Sequence, residues 1–206
     1  MKLTNTHKEL LADISIDCIK NGVTLVLANT KKVKLPHEPD DFKTSGFFSD
    51  DDRILAVGTK RPVEHWFMVL LHEYNHMIQW SEGVCLTGKC RKAHIEIWDW
   101  LAHEIERNKE QLDEIFSIVR NNEKDCEYRT WQMIKDRPEL GINPDDYVRR
   151  ANSYLFSYVI AKRKRKWYRN PPYIFKEAVS LMPPYFVDNY DRVSVEFQKI
   201  IIRECF

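Results

Sequence analysis

The stretch Trp66-Phe67-Met68-Val69-Leu70-Leu71-His72-Glu73-Tyr74-Asn75-His76-Met77-Ile78-Gln79-Trp80 decides how this chain is read. Trp66 to Leu71 is apolar on every side, so a helix here is expected to be buried through the middle of a domain. Pro62 suits a first helical position, where its missing N–H removes nothing. Set into that helix is His72-Glu73-Tyr74-Asn75-His76, an H-E-x-x-H pattern. One turn separates the two histidines, so both imidazoles project from one face and can hold a single Zn2+. Glu73 stands about a third of a turn away, placed to take the proton of a zinc-activated water and pass it to a leaving amine. Two histidines and a glutamate among so many apolar neighbours would be unfavourable to bury without a charge partner. That context favours a metal site over two satisfied core histidines.

Upstream of this helix the periodicity is shorter. Leu10, Leu11, Ile14, Ile16 and Ile19 mark an N-terminal helix that Gly22 stops. Val23 to Asn29 reads as a β-branched strand, with Lys31 to Leu35 as its candidate partner. Gly46 to Phe48 and Arg53 to Val57 read as short strands joined by the acidic turn Ser49 to Asp52. A small antiparallel sheet is expected. Downstream the chain is mostly helical. Trp98, Leu101, Ile105, Leu112, Ile115, Phe116 and Val119 mark one long amphipathic helix, and Glu123 to Lys135 another. Asn143-Pro144-Asp145-Asp146 is a strong start signal, with a cap, a first-position proline and two acids at the positive dipole end. The expected fold is α+β: one domain over 1–206, with a core to about residue 136 and a helical part from about 143 packed on it.

Composition narrows the classes. The chain has 206 residues, 43% of them hydrophobic and 31% charged, which fits a folded globular protein and excludes disorder over most of its length. The longest apolar run has six residues, far short of the roughly 18 that span a bilayer, so no membrane partner is expected. Met1 to Lys20 has no apolar signal core, and a cytoplasmic location is expected. Five cysteines, at 18, 85, 90, 126 and 205, are an odd number that argues against a disulfide framework. Cys85 and Cys90 form only one pair, where a structural zinc site wants two.

A hydrolytic zinc needs a third protein ligand and an open position. His94 and Glu96 in KAHIEIW, and Glu123 and Glu127 in EKDCEYRT, are the candidates. At this point the sequence resembles zincin metallopeptidases of two kinds. Gluzincins take a downstream helical glutamate, often in a run E-x-x-A-D-x-x-A. Glu123 to Thr130 is similar, with Cys126 at the first small position and Thr130 at the last. That resemblance implies that His72, His76 and Glu123 bind zinc, that Glu73 is the catalytic acid/base, and that Glu127 orients a histidine from behind. SprT-like zincins take a later histidine within a sequence like AHGxxW. Ala93 to Trp98 resembles it, with Ile95 in place of the glycine. The wider chain, with LLHEYNHMIQW, DCEYRT, ANSYLFSYV and RKWYRNPPY, resembles small phage-encoded metallopeptidases, which implies host cytoplasm as its location and a protein or peptide as substrate. In zincins the strand before the active-site helix pairs with an extended peptide, a part Arg53 to Val57 would take here. The oxyanion donor would be a Tyr or His, with Tyr154, Tyr158, Tyr128 and His103 available.

Two readings compete with the peptidase. One is a SprT-like DNA-associated protease that joins His94 to the basic stretch Lys162-Arg163-Lys164-Arg165-Lys166-Trp167-Tyr168-Arg169. The other is a nucleic-acid or regulatory binding protein with a structural zinc. Basic residues interleaved with aromatics can track phosphates and stack bases. A net charge of +1 and the preference of helix C-termini for cations make nucleic acid the lesser expectation.

Overall fold

The computed structural model describes residues 3–37, 43–84 and 88–206. Its class is α+β, with seven α-helices and two small sheets among the described residues. The chain divides into two compact units, Met1–Leu86 with Gln132–Ile142, and Thr87–Trp131 with Asn143–Phe206.

The first unit opens with α1 (Asn5–Lys20), fixed by a capping box in which the Thr4 hydroxyl accepts from the His7 N–H and His7 Nδ1 accepts from the Thr4 N–H. A three-stranded sheet follows in the order β1 (Thr24–Ala28), β5 (Ile54–Gly58), β4 (Gly46–Ser49). The sheet is mixed, and this corrects the antiparallel expectation: β1 runs parallel to β5, while β4 runs antiparallel to it. A parallel pair needs a long crossover rather than a turn, and the chain between β1 and β5 supplies it. Lys31 to Leu35 does not pair with β1. Its Val33–Lys34 (β2) lies antiparallel to Lys43–Thr44 (β3) instead.

Period-two alternation gives β5 two buried faces. Ala56 and Ile54 join Val33 and Phe47 on one side. Leu55 and Val57, on the other, are fully buried where α2 (Val63–Ser81) packs on β5 and β4. Gly46 sets that approach. A Cβ there would stand 2.6 Å from Val69 Cγ1 and 2.9 Å from the Ala56 carbonyl oxygen. The helix and the strand could not keep their spacing.

The second unit holds α3 (Lys89–Leu101), most of α4 (Lys109–Lys135), α5 (Pro144–Lys164), α6 (Lys176–Ser180) and α7 (Val195–Cys205). The helix boundaries differ from the sequence reading. The stripe from Trp98 to Val119 is broken after Leu101, where His103 takes a left-handed φ of 63°. The helix restarts at a capping box: the Gln111 N–H donates to Asn108 Oδ1 and the Asn108 N–H donates to Gln111 Oε1. Nothing between Val119 and Glu123 interrupts it, so α4 continues unbroken to Lys135. The Asn143 start signal behaves as expected, its Oδ1 accepting from the N–H groups of Asp145 and Asp146. α5 is buried on two sides. Tyr158 joins Ile97, Trp100, Phe116 and Val119 of α3 and α4, while Leu155, Phe156 and Ile160 join Ala178, Phe197 and Ile201 of α6 and α7.

Two stability predictions follow from the first unit. Gly46→Ala forces Val69 and the strand apart and should cost about 1–3 kcal/mol, read from urea unfolding. His7 is fully buried, and burial pushes its pKa below the ordinary 6.5 against the opposing pull of the Glu64 charge. The unfolded chain therefore takes up a proton first as pH falls. Stability present above pH 6.5 should be lost progressively below it. Comparing urea midpoints at pH 7.5 and 5.5, His7→Gln, which keeps the capping box, should show a smaller drop than wild type.

Candidate metal centre

The core packing of α2 fixes the direction of its polar face. Phe67, Leu70, Leu71 and Met77 are fully buried, which leaves His72 and His76 half-buried together on the same side. Their Nε2 atoms stand 3.2 Å apart, with the rings nearly perpendicular at 86°. Two ligands on a tetrahedral Zn2+ at about 2.0–2.1 Å span about 3.3 Å. The pair therefore already has the separation that one ion requires. Gln79, fully buried one turn on, places Oε1 3.0 Å from His76 Nδ1. With Nδ1–H donating to that oxygen, the His76 proton sits on the far nitrogen and the Nε2 lone pair faces His72.

The motif's other residues anchor the helix. The Tyr74 hydroxyl donates to Asp17 Oδ2 on α1 at 2.7 Å, holding the Asp17 carboxyl below the usual range while burial pushes the phenol up. Asn75 Nδ2 donates to the Leu71 carbonyl at 2.8 Å and lies 3.4 Å from Met133 Sδ. Glu73 reaches the sheet, where its Oε2 accepts the Phe48 N–H of β4 at 3.1 Å.

The remaining candidates sit in the second unit. Glu123, Cys126 and Glu127 share α4, and all three are buried. Glu127 accepts a short hydrogen bond from the Tyr147 hydroxyl of α5, whose pKa is pushed up first by burial and then by the Glu127 charge. Glu123 faces tyrosines. Tyr154 and Tyr158, whose hydroxyls are 2.9 Å apart, are both pushed up by burial and next by the Glu123 charge. Cys126 is wholly buried. Glu123, the third ligand that the gluzincin resemblance implies, and Cys126, a thiol suited to a softer ion, both stand on this helix.

The SprT-like candidates are engaged elsewhere. Trp98 Nε1 donates to His94 Nε2 at 2.8 Å, and Glu96 pairs with Arg107 at 2.9 Å. Cys18, Cys90, Cys126 and Cys205 are not in disulfides, and Cys85 lies outside the described residues. Of the oxyanion candidates, Tyr128 is exposed beside Trp131 and Phe186, and His103 occupies the left-handed turn after α3. The expected peptide-pairing strand needs correction. β5 is central and hydrogen-bonded on both edges, so β1 and β4 carry the sheet's outer edges.

Most of the basic stretch has partners within the second unit. Arg165 donates to the Trp100 and Ile105 carbonyls and to Glu106, and lies over the Trp100 ring. Lys162 pairs with Asp113, Arg163 donates to Gln198, and Arg169 donates to the Phe206 carbonyl. Lys164 and Lys166 are exposed. No described helix is long and apolar enough to cross a membrane.

Gln79→Leu should remove the acceptor that orients His76 and weaken metal binding about 10- to 100-fold, measured by competition with a chromophoric chelator. Neutralising Lys164 and Lys166 should leave binding to single-stranded DNA at 0.15 M salt unchanged, because little is expected with these few unengaged cations. Comparison with protein-family models, with curated proteins and with solved structures finds no match for this chain.

Proposed function

We propose that this protein is a zinc-dependent peptidase of zincin type, with His72 and His76 as metal ligands, Glu123 as the third ligand that the gluzincin resemblance implies, and Glu73 as general base and acid. The single observation that carries the reading is the His72–His76 geometry. Two imidazole nitrogens face each other at the spacing of a tetrahedral site, one with its tautomer set by a buried amide. Imidazole suits zinc among the divalent ions, and two imidazoles with a carboxylate and one open position are the donor set of a catalytic rather than a structural zinc.

Zinc, when bound, supplies a Lewis acid and brings the pKa of its water to about 7. The chain's own groups do the rest. Neutral His72 and His76 would present lone pairs, and the Glu123 carboxylate would lower the net charge of the site to +1. Glu73, next to His72 yet directed to the sheet, accepts the proton of the attacking water and returns it to the departing amine. A Cys126 thiolate, on the same helix, is the alternative third ligand and would give the same net charge. A soluble polypeptide is the proposed substrate, and nucleic acid is not part of the reading.

Purified without chelator, the protein should carry about one zinc per chain by elemental analysis. Glu73→Gln should keep the zinc and lose at least 100-fold in turnover of a mixed peptide library, since an amide cannot accept the proton. Glu123→Ala should weaken zinc binding at least tenfold, while Cys126→Ala should keep the metal. Retention in Glu123→Ala with loss in Cys126→Ala would move the third ligand to the thiol. Absence of zinc in wild type would remove the peptidase reading altogether.

A further inference from the structure

Glu73 belongs to α2, yet its carboxylate is held by a strand. In the β4–β5 register Gly46 faces Val57, Phe47 faces Ala56, Phe48 faces Leu55 and Ser49 faces Ile54. Alternate residues of an antiparallel strand direct their amides toward the partner and away from it. β4 is an outer strand, and the Phe48 N–H bonds to Glu73 Oε2 at 3.1 Å. It is therefore an outward amide of the sheet's edge, bound to a side chain where a further strand would otherwise bind.

Packing makes this contact a designed one. Gly46, two residues earlier on the same side of the strand, has no Cβ, and one built there would meet Val69 Cγ1 at 2.6 Å and Glu73 Cγ at 3.4 Å. Val69 and Glu73 are one turn apart on α2. The bare backbone at Gly46 thus lets β4 lie against both side chains, and the stem of Glu73 rests on the strand whose amide takes its carboxylate. At the other end the Phe48 ring packs on Trp80 of α2, with centroids 5.7 Å apart, and Arg53 lies over the same indole at 4.1 Å. Strand and helix are pinned on both sides of the hydrogen bond.

We propose that the backbone N–H of Phe48 is a positioning group for Glu73. It rests on the peptidase reading for its purpose. By holding Oε2 it removes rotation about the last side-chain torsion, an sp3–sp2 bond that is otherwise broad. Oε1 is left as the oxygen that exchanges the proton. A base fixed in advance does not have to be oriented during the reaction, which raises turnover without changing ground-state binding. The donor is a main-chain group, so no change of side chain at position 48 removes it, and only proline does.

Amide hydrogen exchange tests the tether without any turnover. At an outer edge, the Phe48 amide owes its protection to Glu73. Exchange should be slow in wild type and in Glu73→Gln, whose carbonyl still accepts, and at least tenfold faster in Glu73→Ala. Equal exchange in wild type and Glu73→Ala overturns the proposal. The second arm compares Phe48→Pro with Phe48→Leu in the zinc-loaded protein. Proline is tolerated at an edge position whose N–H faces outward. Phe48→Pro should keep one zinc per chain and a KM within twofold of Phe48→Leu, while kcat falls about tenfold. Equal kcat in the two variants also overturns it. Should Phe48→Pro fail to fold, the exchange arm decides alone. Absence of wild-type turnover would sink the peptidase reading and leave the tether to be judged by exchange.

Discussion

Everything about the candidate metal centre depends on two imidazoles being held one helical turn apart with their Nε2 atoms 3.2 Å from each other. At that separation His72 Nε2–H can donate to the His76 Nε2 lone pair, or both lone pairs can turn to one cation. The surrounding helix removes the easy escapes. Residues before and after the pair are fully buried, so the helix cannot roll to turn the rings into water. Gln79 then fixes the His76 tautomer from behind. A divalent cation between the rings would take both lone pairs in place of that hydrogen bond.

The sheet serves that helix twice. The β5 residues Leu55 and Val57 provide the apolar floor on which α2 lies, and β4 provides the hydrogen bond that takes hold of Glu73. Each function depends on backbone proximity, and Gly46 is the residue that permits it. The Tyr74–Asp17 bond ties α2 to α1 in the same unit. Alternate faces of the motif helix are thus engaged with different neighbours: the two histidines with each other, Glu73 with the sheet, Tyr74 with α1.

In the second unit, α5 is the axis, packed by α3 and α4 on one side and by α6 and α7 on the other. The basic run at its end is largely local chemistry. Arg165 adopts a left-handed conformation past the helix end and donates to the Trp100 carbonyl in the last turn of α3, among others, where a cation also meets the negative end of the dipole. Much of this dense positive stretch is thereby engaged at helix ends and in ion pairs.

Sequence alone settled whatever depends on residues within a turn or two of one another. H-E-x-x-H inside an apolar run fixed a buried helix with both histidines on one face, since helical geometry allows nothing else. The Asn143 cap, the N-terminal helix and the individual strands were legible for the same local reason. The helix break after Leu101 and the capping box at Asn108 were also local, but an unbroken apolar stripe masked them. Tertiary structure decided what depends on distant segments. Strand order and the parallel β1–β5 pair follow from which chains meet, which alternation cannot specify. The tether from Phe48 to Glu73 joins residues 25 apart through a main-chain amide, a group that every residue but proline carries and that leaves no mark in the sequence.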